Sequence, residues 1–245
     1  MQLGALDIEQ VSGGIAAIIP DGVTPVAMSR ALGGAKVSVS PAVARDNGSV
    51  WVLTPRAVRI GRIVIAPPEV VSPPGALRLT DSTAFGSGYH PTTSLCIEAL
   101  EEAVTISAPE SVLDVGTGSG VLALAALMMG VPKAVGLDID PDALNVAAKN
   151  ARLNGLQDRL QLSHGGPDAV TGVWPLVIAN VLAAPLIEMA PVLVPRVGNR
   201  GRLILCGISR SLESEVLQTY QRLGMRHVRS ETRGEWTVVV VQATW

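Results

Sequence analysis

Val112-Leu-Asp-Val-Gly-Thr-Gly-Ser-Gly120 carries a buried-type apolar run straight into a Gly-x-Gly-x-Gly turn, and Ala134-Val-Gly-Leu-Asp138 ends a second such run on a carboxylate. Asp138 lies 22 residues after Gly116. That is about the distance at which a βαβ unit brings its second strand back beside the first and sets an acid next to a bound ribose. Residues without a Cβ let the turn tighten and let a ligand approach the backbone. The pair predicts an adenosine-containing cofactor.

The spacing Gly116-x-Gly118-x-Gly120 differs from the G-x-G-x-x-G of dinucleotide sites, which sets a pyrophosphate on a helix N-terminus. Asp114, just before the turn, would repel a pyrophosphate and attract a cation. A ligand with a sulfonium and an α-amino group fits that charge, so the expected cofactor is S-adenosylmethionine. Asp138 is expected to accept hydrogen bonds from both ribose hydroxyls.

Alternating elements must position these groups. From residue 81 onward the pattern predicts a helix over 92–104, strand 111–115, helix 120–130, strand 134–138 and helix 141–153, with Pro141 in its first turn. Strands 160–163 and 176–180, helix 184–194, strand 201–207 and helix 211–223 follow. Strands 227–230 and 237–242 are separated by too few residues for a crossover helix and must form an antiparallel hairpin. The fold class is therefore α/β: a Rossmann-like, doubly wound seven-stranded sheet with an antiparallel last strand. A small β-rich N-terminal domain precedes it. Eight of the 17 prolines fall in residues 1–80, with short β-branched runs at 15–19, 36–40, 50–53 and 60–66 and no helix-length periodic segment. The expected organisation is an N-terminal module over 1–66, a stiff Pro-rich linker over 67–82 and the cofactor domain over 83–245.

Composition narrows the class further. Residues 1–80 carry net charge +2 and residues 81–245 carry −4, without the clustered basic residues of a nucleic-acid surface, so no direct nucleic-acid partner is expected. The apolar stretch near 120–131 is too short to span a bilayer, which takes about 20 residues, and the N-terminus lacks a signal-peptide pattern. Cys96 and Cys206 stand in differently patterned segments and read as buried thiols, and the expected location is the cytoplasm. No Cys/His cluster has metal-ligand spacing, so no metal is expected.

Three further segments carry a family resemblance: Ala84-Phe-Gly-Ser-Gly-Tyr-His-Pro-Thr-Thr93, Asn180-Val-Leu-Ala-Ala-Pro-Leu186 and Gly234-Glu-Trp236. With the glycine turn, they resemble the bacterial methyltransferases of the eleventh large-subunit ribosomal protein, L11. Those enzymes carry F-G-T-G-x-H-x-T-T, Asp-x-Gly-x-Gly-Ser-Gly, N-[IVL]-L and a late Glu-Trp, and the resemblance covers roughly residues 50–245. It implies cofactor contacts at Thr93, Gly116, Gly118, Asp138 and Asn180. It also implies methylation of lysine ε-amino and N-terminal α-amino groups of L11. No catalytic residue is assigned; Phe85 could line the channel, and His90 stands either as a base or as a structural residue before Pro91. His164 and His227 show no partner pattern.

The residues after Asn180 bear on the acceptor. Enzymes acting on flat amides or adenine amino groups carry a Pro-Pro-aromatic sequence there, whose ring stacks on the acceptor. Val181-Leu182-Ala183 offers no ring, which favours an aliphatic amine, its pKa lowered by an apolar slot. At the N-terminus the family carries a compact recognition domain and a Trp-containing linker, whereas residues 1–50 match loosely and Trp51 is the single tryptophan there. Two alternatives stay open: the same core acting on another protein or a small amine, and a non-catalytic cofactor-binding module.

Overall fold

The structure is a computed structural model that describes residues 7–11, 14–19, 23–39, 56–80 and 90–245. The chain divides into two units, Met1–Arg56 and Ala57–Trp245. In the first, β1 (Asp7–Val11) and β2 (Gly14–Ile18) form an antiparallel hairpin. α1 (Pro25–Ala31) follows, a helix that the sequence reading missed. Its start is legible in hindsight: the Thr24 hydroxyl accepts from the Ala27 N–H at 3.2 Å and Pro25 occupies the first turn. Residues 36–39, expected as a strand, have no regular structure, and the expected strand at 50–53 lies outside the described residues.

The second unit opens with β3 (Val58–Ile60), β4 (Ile63–Ala66) and β5 (Leu77–Arg78), a small sheet with β3 antiparallel and β5 parallel to β4. Ile60, Ile63, Ile65 and Leu77 are buried in the same apolar cluster as Leu95 and Leu100. Strand 60–66, grouped with the N-terminal module in the sequence reading, thus packs on the cofactor-domain core. The proline-rich stretch after it is held down as well. Arg78 Nη1 donates to the carbonyls of Pro67, Pro68 and Val70 at 3.1, 3.0 and 2.7 Å.

The remaining elements are α2 (Pro91–Ser107), β6 (Ser111–Val115), α3 (Val121–Met128), β7 (Lys133–Asp138), α4 (Pro141–Leu153), β8 (Leu160–His164), β9 (Trp174–Asn180), α5 (Ala183–Leu193), β10 (Val197–Ser209), α6 (Glu213–Arg222), β11 (Met225–Arg233) and β12 (Trp236–Ala243). Seven strands form one sheet in the order β11-β12-β10-β9-β6-β7-β8. β12 is antiparallel to both neighbours, and β6 to β10 run parallel. This is the expected doubly wound sheet; the last strand inserts between β10 and β11 instead of standing at the edge.

Period-two alternation sorts the strands onto two cores. Leu113, Val177 and Leu205 pack on the α5 and α6 side, with Leu186 and Val216. Val112, Ile178 and Ile204 pack on the side of α2 and α3. The same alternation puts Asp114, Asn180 and Cys206 on the α2 side, near the carboxyl ends of three adjacent parallel strands. That end of an open α/β sheet is where ligands bind.

Candidate functional site

Asp114 is fully buried at the end of β6, and its Oδ2 accepts from Thr117 Oγ1 at 2.7 Å and the Ala123 N–H at 3.1 Å. It therefore braces the turn against the first turn of α3. Burial pushes its carboxyl up to about 6, against which these two hydrogen bonds work. Its Oδ1 has no hydrogen-bond partner.

The turn itself needs glycine for reasons within the protein. Gly116, Gly118 and Gly120 have φ of 71°, 55° and 81°. A Cβ at Gly116 would come within 2.5 Å of Val181 Cγ1, so the loop after β9 closes directly on the turn. The N–H groups of Gly116 and Thr117 both donate to the Leu137 carbonyl at 2.8 Å, and the Gly118 N–H donates to Asp138 Oδ2 at 2.8 Å. Asp138 Oδ1 accepts from the Asp140 N–H at 3.0 Å. Each carboxylate oxygen thus has one backbone partner and keeps one lone pair for a ligand. The backbone fixes the orientation in which the acid faces outward.

His90 is the N-cap of α2. Its Nδ1 accepts from the Thr92 N–H at 3.3 Å and lies 2.8 Å from Thr92 Oγ1. Its ring meets Trp236 edge-on, the centroids 5.2 Å apart. The structure brings His90 together with Trp236 from the late Glu-Trp segment as a helix cap and its packing surface. Thr93 is fully buried, with Oγ1 unpaired; Asn180 Nδ2 donates to Thr92 Oγ1 at 3.4 Å, with Oδ1 unpaired. Phe85 and residues 84–89 lie outside the described residues.

Three buried oxygens without partners, on Thr93, Asp114 and Asn180, thus stand at the same end of the sheet. Buried polar atoms are normally satisfied. Here they provide a hydroxyl, a carboxylate oxygen and an amide oxygen, a set suited to a ligand rich in N–H donors and positive charge. No group of three or more His, Cys, Asp or Glu side chains able to hold a metal occurs among the described residues.

Sequence reasoning missed several residues here. Asn150 is fully buried on α4; its Oδ1 accepts from the Thr80 N–H and hydroxyl, both at 2.9 Å, and its Nδ2 donates to the Ser119 carbonyl at 2.9 Å. A polar residue in an otherwise alanine-lined stripe (Ala143, Ala147, Ala151) was the available signal. Cys96 and Cys206, read as two remote buried thiols, are buried and free but adjacent. Burial and the Cys206 hydrogen bond push the Cys96 thiol up. His164 and His227 engage the Ile139 carbonyl and Ser230 Oγ, each at 3.0 Å.

A sequence model of the family described as ribosomal protein L11 methyltransferase (PrmA) matches residues 35–244. The chain belongs to that family. Among curated relatives, the ribosomal protein L11 methyltransferase of Geobacter sulfurreducens is 44% identical over 188 residues, covering 74% of this chain and 61% of the relative. That of Myxococcus xanthus is 35% identical over 212 residues, covering 85% of this chain and 73% of the relative. The chain therefore spans about three fifths to three quarters of the length of these two relatives. The solved ribosomal protein L11 methylase of Lactobacillus delbrueckii subsp. bulgaricus superposes with a TM-score of 0.70 at 28% identity, over 76% of this chain and 97% of that one. An O-methyltransferase family protein of Burkholderia thailandensis, 13% identical with a TM-score of 0.52, shares the fold. No helix among the described residues is long and apolar enough to cross a membrane.

Proposed function

We propose that this member of the L11 methyltransferase family transfers methyl groups from S-adenosylmethionine to amine nitrogens, the ε-amino groups of lysines and an N-terminal α-amino group, on ribosomal protein L11. The observation that carries the reading is the trio of unpaired buried oxygens on Thr93, Asp114 and Asn180 beside a glycine turn clamped to Asp138. Family membership and relatives that are ribosomal protein L11 methyltransferases support the substrate.

S-adenosylmethionine supplies an activated methyl group on a sulfonium centre. Asp138 would take the ribose hydroxyls on its free lone pairs, since each oxygen already has one backbone N–H partner. Thr93 and Asn180 would hold the amino-acid end, and Gly116 and Gly118, without side chains, would let the cofactor approach the turn. The buried Asp114 carboxylate, with its unpaired oxygen, would compensate positive charge on a bound ligand. Methyl transfer is then an in-line displacement governed by positioning.

The residues after Asn180 support an aliphatic amine as the acceptor. Leu182 is 63% exposed there, and Val181 packs on Gly116. Apolar side chains at this position favour a neutral amine over an ammonium as the attacking nitrogen. They offer no ring on which a flat amide could stack. No side chain is assigned as a base, because water can remove the proton.

Labelled S-adenosylmethionine, supplied with purified L11 and separately with a lysate lacking L11 methylation, tests the reading. Label concentrated on L11 is expected. Label on other proteins or small amines instead would move the assignment to a different acceptor, and saturable cofactor binding with no transfer would leave only a binding module.

A further inference from the structure

Thr92 carries none of the proposed cofactor contacts, yet it is gripped from three sides. His90 Nδ1 lies 2.8 Å from its hydroxyl, Asn180 Nδ2 lies 3.4 Å from the same oxygen, and Cys206 Sγ donates to its carbonyl at 3.5 Å. Proton bookkeeping fixes the direction of this chain. His90 Nδ1 already accepts the Thr92 N–H, so it is the unprotonated nitrogen of its ring. Burial lowers His90 further, keeping the imidazole neutral. The Thr92 hydroxyl must therefore donate to Nδ1, and its oxygen is left only as an acceptor. An acceptor facing the Asn180 side chain selects the amide nitrogen, which leaves the amide oxygen, buried and unpaired, as the atom offered to a ligand.

We infer that His90 and Thr92 are positioning residues that lock the Asn180 amide with its carbonyl oxygen presented as an acceptor for a ligand N–H. The N–H donor is either the ammonium of the cofactor or the incoming amine of the substrate. The inference rests on the proposed methyltransferase reading for what the oxygen receives; the lock itself exists in the ligand-free chain. It also accounts for a cap on α2 built from histidine: one ring nitrogen accepts both the backbone N–H and the hydroxyl proton while the ring makes a T-shaped contact with Trp236.

The test separates the lock from its use. In the ligand-free full chain, nuclear magnetic resonance of the Asn180 side-chain NH2, assigned by its loss in Asn180→Ala, is expected to show one slowly exchanging proton. Thr92→Val is expected to shift that signal and speed its exchange, and Thr92→Ser to restore both. An NH2 signal unmoved by Thr92→Val would overturn the inference whatever the enzyme's activity. With S-adenosylmethionine and L11, Thr92→Val is expected to cost about tenfold, the loss of one buried hydrogen bond. Thr92→Val combined with Asn180→Ala is expected to be no worse than Asn180→Ala alone. A rise in the cofactor Kd assigns the donor to the cofactor; a fall in kcat/KM at constant Kd assigns it to the amine. Losses that multiply in the double variant would mark Thr92 as a structural helix-start residue and refute the relay. Wild-type chain that binds no S-adenosylmethionine, with the NH2 locked as expected, would sink the methyltransferase reading and leave the lock standing.

Discussion

At the scale of single residues, charge and hydrogen bonding make separate demands on the two acids. Asp138 sits at the strand end with each oxygen half used by backbone, so removing it should cost ligand binding together with its hold on the Gly118 and Asp140 N–H groups. Asp138→Ala is expected to weaken S-adenosylmethionine binding by about 1.5–3 kcal/mol, the loss of charge-assisted hydrogen bonds. Calorimetry reads this directly, and an unchanged Kd would refute the role. Asp114 makes a pH prediction. Its carboxyl lies near 6 in the ligand-free fold, raised by burial from 3.8, so the free chain takes up a proton there as pH falls below about 6. A cation held beside the carboxylate binds only the ionised form, and binding must then expel that proton. The Kd is expected to be flat above pH 7 and to rise up to about tenfold per pH unit below 6. Asp114→Asn should flatten the profile; a wild-type Kd independent of pH would contradict the placement of positive charge near Asp114.

Spacing made these acids legible. A carboxylate closing the second strand of a βαβ unit has few other reasons to be there, and the glycine spacing argued against a pyrophosphate. What spacing could not reveal was that Asp114 turns one oxygen inward to Thr117 and Ala123, or that His90 is a cap. Both facts depend on a side chain's direction, which the order of residues does not specify.

At the scale of elements, the glycine turn is supported from outside its own βαβ unit. The stretch before β5 reads in composition as an extended linker, and prolines do stiffen it. Yet Arg78 gathers three of its carbonyls, the Arg78 N–H donates to Asn154 Oδ1 at 2.8 Å, and Asn150 joins Thr80 to Ser119. A segment with few apolar residues gave no periodic signal, so its docking by polar clamps was invisible in the sequence. Asn150→Ala strands buried donors and acceptors on both sides. It should lower unfolding stability by about 2–3 kcal/mol and weaken cofactor binding through the turn. Thermal melts and calorimetry on one sample check both, and a variant with normal stability and normal Kd would show that the clamp holds nothing. The major elements themselves were readable because their periodicity is strong. β6, with Val112 to Val115 fully buried, and α3, apolar all round, match the expected positions to within a residue or two. α1 escaped notice because seven residues are too few for a periodic pattern, and only its cap announces it.

At the scale of the whole molecule, the sheet order β11-β12-β10-β9-β6-β7-β8 sets the carboxyl ends of β6, β9 and β10 side by side, which brings Asp114, Asn180 and Cys206 together from three distant stretches of sequence. The hairpin β11–β12 contributes Trp236, which packs against His90 and couples the last strand to the start of α2. Alternation of elements predicted the doubly wound class and the antiparallel last strand. The insertion of β12 between its neighbours depends on which edge remains open, and the pattern alone left that undecided. Unit Met1–Arg56 is separate from the site-bearing unit. Deleting residues 1–56 is expected to leave the S-adenosylmethionine Kd within about twofold, since the candidate cofactor residues all belong to the second unit, while abolishing transfer to L11. Full retention of transfer would remove the N-terminal unit as the recognition element.

Mass spectrometry of L11 after incubation with the full chain and S-adenosylmethionine tests the account most directly. The predicted result is single-methyl increments localised to lysine side chains and the N-terminal amine, with Asn180→Ala strongly reduced. Methylation of an asparagine or glutamine amide, or an L11 mass left unchanged by a chain that binds the cofactor, would contradict it.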